Sequence, residues 1–428
     1  MFNLFSLCES IDLYLFKIGL RNLSKLAQNT LLITVAAYLI YPLRFREKFL
    51  YYRPMIVTVL ISLLFLIPSG ILSSRYTPGK GLTKLIGFGR NTQKPFLPEI
   101  YQLKPAMSSK YGYDGQYYAQ LSIDPFLKQD KTKEALDLPQ YRARRIGLPF
   151  LAYFLGMGKP WQILNIYSVL NFVFWILLFI FVIRYAGVKD FRSLFLAMAM
   201  LWSTGTLVSL ERALTDFPAV VTAVAAVLVS GRSWIIAGLL FSYSGLIKET
   251  SALSFPVLIE PGKTNRKRLI LSLLVCIIPL LAWYAYIYLR LGSSSGMGSG
   301  NFSLPFYGFI MKVSSAVTYL STGREGILGI QLLFELLCPF SLLVQALYLA
   351  FSRRYESAEW RLGAGFAFLF AFLGSGVWEE QNAYARVLLP LTFSYNLLIY
   401  RYEKKTRFAL FFISGNVGMF WLAYMFFI

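Results

Sequence analysis

Apolar runs of about 17–25 residues, the length that crosses a bilayer as a helix, fill most of this 428-residue chain. Short polar joints separate them. The pattern predicts spans at 54–72, 161–183, 193–210, 214–230, 233–247, 250–260, 269–289, 326–351, 362–378, 387–400 and 407–428. The expected fold is an all-α, polytopic transmembrane protein of about 11–12 spans. Residues 27–43 are apolar but short and carry Pro42 near their end, so their crossing is left open. Residues 1–25 interleave Leu, Phe and Ile with Asp12, Lys17, Arg21 and Lys25, as an amphipathic segment lying in the interface does. Between 193 and 260 the segments follow so closely that the pattern does not fix their breaks.

One segment departs from the pattern. Residues 73–145 form the longest polar stretch, and its first half is punctuated by Pro78, Gly79, Gly81, Gly87, Gly89, Pro95 and Pro98, as a loop is. Within it, 114–123 predicts a short helix, with Asp114 placed to cap its start and Asp124-Pro125 to stop it. A second short helix is expected over 139–155, running into the membrane. Residues 291–308 are rich in Gly and Ser and read as a flexible linker, with a mobile lid as the sharper alternative. The organisation expected is an N-terminal amphipathic and basic part (1–53), a transmembrane module (54–290) carrying the loop 73–145, a Gly/Ser-rich loop (291–325) and C-terminal helices (326–428).

Charge adds direction. Only 15% of residues are charged and 57% are apolar, which excludes an ordinary soluble domain. The net charge of +21 is concentrated in alternate joints: Arg44 to Arg53, Arg184 to Arg192, Arg232, Lys263 to Arg268, Arg353 to Arg361 and Arg401 to Arg407. Positive charge marks the cytoplasmic side. The outer side then holds 73–145, Glu211 to Asp216, Lys248-Glu249, 290–325 and Glu379 to Arg386; long loops are exempt from the charge rule. Charge spread over many joints forms no stripe for nucleic acid. The first apolar residues are interrupted by Glu9, Asp12 and Lys17, unlike a secretory signal.

The chain has no histidine, which removes imidazole acid–base chemistry and His-ligated zinc. Proton transfer falls to Asp, Glu, Lys or Tyr. The three cysteines, Cys8, Cys276 and Cys338, suggest neither a disulfide framework nor a metal cluster. No phosphate-binding Gly-lysine loop or dinucleotide fingerprint occurs.

The candidate chemistry lies on the expected outer face. Asp114, among Tyr113, Tyr117 and Tyr118, is either a helix cap or a general base whose pKa the rings would raise by desolvation. Asp124 and Asp137 read as helix stop and cap. Arg142 and Arg145, three apart, would share a helix face and could clamp a phosphate, or simply snorkel with Arg144. Glu211-Arg212 reads as a structural tie. Lys248, facing the cavity of Asp114, would suit a phosphate; Asp216, Glu249 and Arg386 are charged groups at span junctions. Glu335, inside an apolar run, calls for a partner such as Arg386 or Arg324.

Tyr113-Asp-Gly-Gln116-Tyr117-Tyr118, Asp124-Pro-Phe, Tyr141-Arg-Ala-Arg-Arg-Ile-Gly-Leu-Pro-Phe-Leu-Ala, Leu214-Thr-Asp216-Phe-Pro, Leu246-Ile-Lys248-Glu249-Thr and Ala385-Arg386-Val-Leu-Leu-Pro resemble motifs of bacterial membrane proteins of the GT-C glycosyltransferase superfamily. The likeness spans roughly 54–400 in short motifs and hydropathy. It implies an enzyme that takes a sugar from a polyprenyl-phosphate carrier at the outer face, inverting the anomeric carbon, with a glycan, lipid or protein as acceptor. Asp114 is then the base, and Arg142, Arg145 and Lys248 meet the lipid phosphate. Relatives often carry paired acids in this loop; here Gly115-Gln116 follows Asp114, and a divalent metal is left open. The rival readings are a transporter or flippase of a lipid-linked glycan, which would carry charges deep in several spans and symmetric repeats, a surface-glycan ligase or polymerase, and a structural subunit.

Overall fold

The computed structural model describes residues 54–187, 190–259, 261–262, 266–292, 299–321 and 327–427. The segments expected at 1–25, 27–43 and 44–53, and residues 293–298 of the Gly/Ser-rich run, lie outside the described residues. Among the described residues helix dominates and strand is almost absent, an all-α polytopic membrane protein as the apolar pattern predicts.

Two compact units divide it, Met1–Arg75 and Tyr76–Ile428. In the first, helix α1 (Pro54–Arg75) takes the place of the expected span 54–72. The second unit opens with the long polar segment. A 3-10 turn (Thr83–Ile86), β1 (Phe88–Gly89), α2 (Pro98–Leu103) and β2 (Met107–Ser109), parallel to β1, precede α3 (Gly115–Ile123), α4 (Asp130–Ala135), α5 (Pro139–Ala143) and α6 (Gly147–Leu155). The bundle follows: α7 (Pro160–Ala186), α8 (Phe191–Leu201), α9 (Thr204–Glu211), α10 (Asp216–Ser230), α11 (Trp234–Ile247), a 3-10 helix (Glu249–Leu258) and α12 (Arg266–Leu291). It closes with α13 (Tyr307–Ser321), α14 (Ile327–Ser352), α15 (Ala358–Phe372), α16 (Ser375–Trp378), α17 (Gln381–Val387), α18 (Leu389–Tyr402), α19 (Lys405–Asn416), a 3-10 turn (Val417–Phe420) and α20 (Trp421–Phe427).

Among the described residues of this unit four helical stretches are long and apolar enough to cross a membrane: α7, α12, Gly329–Ser352 of α14, and Lys405–Ala423. The number is five if α8 and α9, bent by 46° at their break, count as one broken span. That pair occupies the expected span 193–210. The expected spans at 214–230 and 233–247 are the shorter apolar helices α10 and α11. The run 250–260 is a 3-10 helix with Pro256 inside it, and 362–378 divides between α15 and α16.

Local chemistry sets several starts. Asp190 caps α8 in a reciprocal box with Ser193, and Ser357 caps α15 by accepting from Trp360 N. Proline opens α5 and α7, where its missing N–H costs nothing. One apolar core lies among α14, α15, α16, α17 and α18, around Leu342, Phe366, Phe370, Trp378, Tyr384 and Tyr395. A smaller apolar cluster of Leu121, Leu136, Ala143, Ile146 and Ile287 joins the loop helices to α12.

Hydrogen bonds fix the same joint. The end of α12 donates Trp283 Nε1 to Ala143 O (2.8 Å), Tyr286 hydroxyl to Phe126 O (2.5 Å) and Arg290 Nη2 to Leu127 O (3.0 Å). On the other side Tyr167 of α7 donates to Ala213 O at 2.9 Å. Asp124 accepts from Lys128 N (3.0 Å), Gln129 N (2.9 Å) and Thr132 Oγ1 (2.7 Å), so it seats the turn after α3, in keeping with its reading as a stop.

Gly115 shows how tightly α3 is seated. A Cβ there would collide with the backbone carbonyl oxygens of Ile86 and Arg212, which cannot swing aside as side chains do. Gly115→Ala is therefore expected to destabilise the protein by about 1–3 kcal/mol through overpacking. Thermal unfolding in detergent measures this, and an unchanged midpoint would show that the backbone yields.

Candidate active site

The charged residues of the loop and of the helix junctions meet at one end of the bundle. Arg142 sits at their centre. It donates Nε and Nη2 to Asp137 (2.8 and 2.7 Å), Nη2 also to Asp114 Oδ1 (2.9 Å), and Nη1 to the Tyr118 hydroxyl (3.2 Å). Its guanidinium lies 4.9 Å from the Tyr117 ring centre, a cation–π distance. Arg145 reaches the same Tyr118 hydroxyl (2.8 Å) and forks onto Glu249 through Nε (2.9 Å) and Nη2 (2.7 Å). Tyr141 accepts from Arg145 Nη2 and stacks under its guanidinium at 4.4 Å.

Next to this fork, Asp216 bridges two buried cations. One oxygen accepts from Lys248 Nζ, and the other from Arg386 Nη1 at 3.0 Å. Arg386 continues to the Tyr113 hydroxyl (3.3 Å), and Arg212 lies over the Tyr113 ring at 4.1 Å. Four carboxylates (Asp114, Asp137, Asp216, Glu249) thus hold four cations (Arg142, Arg145, Lys248, Arg386).

Eight of the expected site residues share the cluster, and Tyr117 supplies its ring; Gln116 does not join. Gln116 is buried on the other face of α3, where its Oε1 accepts from Gly89 N (3.2 Å) and so fastens β1. Arg142 and Arg145 do not share one helix. The helix expected over 139–155 breaks between α5 and α6, and the two arginines converge through Tyr118 instead. Asp114 makes no side-chain cap for α3; its carboxylate turns to Arg142. Lys248 points at Asp216 and is sequestered there. Glu335 pairs with Lys312 at 3.1 Å, not with Arg386, which Asp216 holds.

The structure gives three residues roles that the sequence reading did not assign, Asp137 having been read as a cap and Tyr118 as a desolvating ring. Asp137 is the two-pronged partner of Arg142. Tyr118 is the shared acceptor, and Tyr141 the platform under Arg145. All three lie in the long polar segment 73–145, and an acid five residues before an arginine was the available signal for Asp137.

The expected rise in the Asp114 pKa is also corrected. Burial does push it up, but Arg142, then Arg386 and Arg145, outweigh that and hold the carboxyl below its usual range. About a third of the side chain remains exposed (36%), so the group faces solvent while ion-paired. Burial likewise works to raise Glu249, yet Arg145 holds it down at about 2. Burial pushes the Tyr141 phenol up to about 12, which keeps it neutral.

The Glu249 shift carries a prediction. A carboxyl whose folded pKa is depressed stabilises the fold above its unfolded value and loses that contribution as pH falls. Stability should fall between an unfolded value of 4.5 and a folded value of about 2. Glu249→Gln should remove this part of the acid dependence in pH-resolved unfolding; an identical acid limb in the variant would assign it elsewhere.

Among the described residues no group of three or more Cys, Asp or Glu gathers to hold a metal ion. Each cluster carboxylate is taken by a cation, so this donor set does not fit a divalent metal in the arrangement seen. The chain matches no family model, and no curated protein or solved structure matches it significantly.

Proposed function

We propose that this protein is a GT-C-type membrane glycosyltransferase, set in a bacterial cytoplasmic membrane with the long loop outward. It would transfer a sugar from a polyprenyl-phosphate donor to an acceptor hydroxyl of a glycan, lipid or protein, with inversion. The observation that carries this reading is the sharing of Arg142 between Asp114 and Asp137. Asp137 takes two hydrogen bonds from it and Asp114 takes one.

A phosphodiester entering the cluster competes for guanidinium donors, and the single tie to Asp114 is the one most easily exchanged. Arg142 then binds the phosphate in place of Asp114, with Arg145 beside it. Asp114 loses its main cationic neighbour, so its basicity rises. It takes the proton from the acceptor hydroxyl as that oxygen attacks the anomeric carbon. The bond from that carbon to the phosphate oxygen breaks on the opposite face, and its electron pair leaves with polyprenyl phosphate. The leaving phosphate monoester needs little acid help.

The clustering of charge at a helix-bundle end, with Lys312–Glu335 as an ion pair placed within α13 and α14, favours this over a transport path lined by charges through several spans. The test is a titration of the detergent-purified protein with polyprenyl phosphate. Arg142→Gln should weaken binding about 10–100-fold, the equivalent of one charged hydrogen bond or two. Absence of saturable binding by the unaltered protein overturns the donor class. Equal binding by the variant overturns the role of Arg142.

A further inference from the structure

The other end of the bundle holds a cavity of about 530 Å³. Helices α7 and α10 connect the two ends: Tyr167 and Asp216 lie near the charge cluster, whereas Tyr185 and Val227 line the cavity. Its walls draw on five of the basic joints recognised in the sequence, through Tyr185, Gly231, Arg268, Arg361 and Arg401. Topology explains why these joints are basic. It does not explain why three arginines and a buried carboxylate surround one space of ligand size.

The carboxylate is Glu359, only 3% exposed. Its Oε1 accepts from Arg401 Nη1 (2.5 Å) and from the Tyr185 hydroxyl (2.8 Å). Its Oε2 is buried without a donor, an arrangement that costs about 1–3 kcal/mol where nothing supplies one. Arg361 is anchored by Nη1 on the carbonyls of Tyr355 (2.9 Å) and Glu356 (2.7 Å), and Ser357 caps the start of α15 beside it. The other carboxylate of the wall, Glu356, is exposed. The cavity therefore sets three guanidinium groups beside one buried carboxylate oxygen that has no donor.

We infer that this cavity binds a phosphoester headgroup that also carries a hydroxyl or amine, its phosphoryl oxygens meeting Arg268, Arg361 and Arg401 and its donor meeting Glu359. Phospholipid headgroups suit basic pockets between helices at a membrane surface, and a water-soluble phosphoester presents the same chemistry. This site is independent of the sugar-transfer reading.

Gly231 supplies a clean block. Its φ of −69° is ordinary, and a Cβ built there meets no atom within 4 Å. Gly231→Phe therefore adds a ring at the cavity wall with no clash at its Cβ, and Arg268→Gln removes one cation. The full-length protein, stripped of lipid in detergent, is titrated with dihexanoyl phosphatidylglycerol, with sn-glycerol 3-phosphate and with dihexanoyl phosphatidylcholine. Saturable binding of phosphatidylglycerol is expected, about tenfold weaker or more for the choline lipid, which lacks the donor, and for each variant. Binding of the lipid alone identifies a membrane headgroup; equal binding of glycerol 3-phosphate identifies a soluble phosphoester. Either result upholds the site. No binding of any probe, equal binding of the choline lipid, or unchanged binding by both variants overturns it.

Discussion

Asp216→Asn is expected to destabilise the folded protein by about 3–5 kcal/mol, the cost of leaving buried charge without its partner. The side chain is 6% exposed, and it faces cations that are 7% (Lys248) and 10% (Arg386) exposed. Asparagine preserves shape and one acceptor but removes the charge that both cations share. Lys248 can respond by releasing its proton, whereas Arg386 cannot. The loss should therefore be only partly recovered by Lys248→Met in the same chain, and the double-mutant cycle should show strong coupling. Thermal unfolding in detergent reads both. If Asp216→Asn melts with the unaltered protein, the bridge carries no net stability and the two cations have other partners.

The helical, membrane-crossing nature of the chain was legible because lipid leaves the backbone few choices: long apolar runs become helices. Span limits were legible where a run stands alone, as with α7, α12 and α14. They were not legible over 193–260. There Trp202 closes one helix and Ser203 opens the next, and Lys248 turns the chain into a 3-10 helix. Those breaks depend on partners far away, such as Arg145 for Glu249 and Arg386 for Asp216, which periodicity does not encode.

The charged positions were legible by exclusion, since positive-inside topology accounts for the basic joints and leaves Asp114, Arg142, Arg145, Asp216, Lys248, Glu249 and Arg386 over. Their pairing was not. An isolated arginine in a loop reads as a free phosphate ligand, but a desolvated one must have a carboxylate, and Asp137 and Glu249 are the ones within reach. The same omission placed Gln116 in the site. In α3 it stands beside Tyr117 in sequence, yet it falls on the face that turns to β1.

On the proposed function, Asp114→Asn is expected to lower sugar transfer by about 10²–10⁴-fold, the range for loss of a general base. Binding of polyprenyl phosphate should stay as tight or become tighter, because the phosphate no longer competes with a carboxylate for Arg142. This split between turnover and binding separates a base from a structural tie, whose loss would weaken both. The pH dependence gives a second readout. A base must be ionised to act, so the rate should fall as pH drops through the pKa that Asp114 has in the donor complex. That pKa should lie above its depressed resting position once Arg142 has moved to the phosphate. The variant should lose this acid limb, and Asp114→Glu should restore part of the turnover. Full transfer by Asp114→Asn would assign the proton to another group. Impaired phosphate binding would instead make Asp114 a support for Arg142.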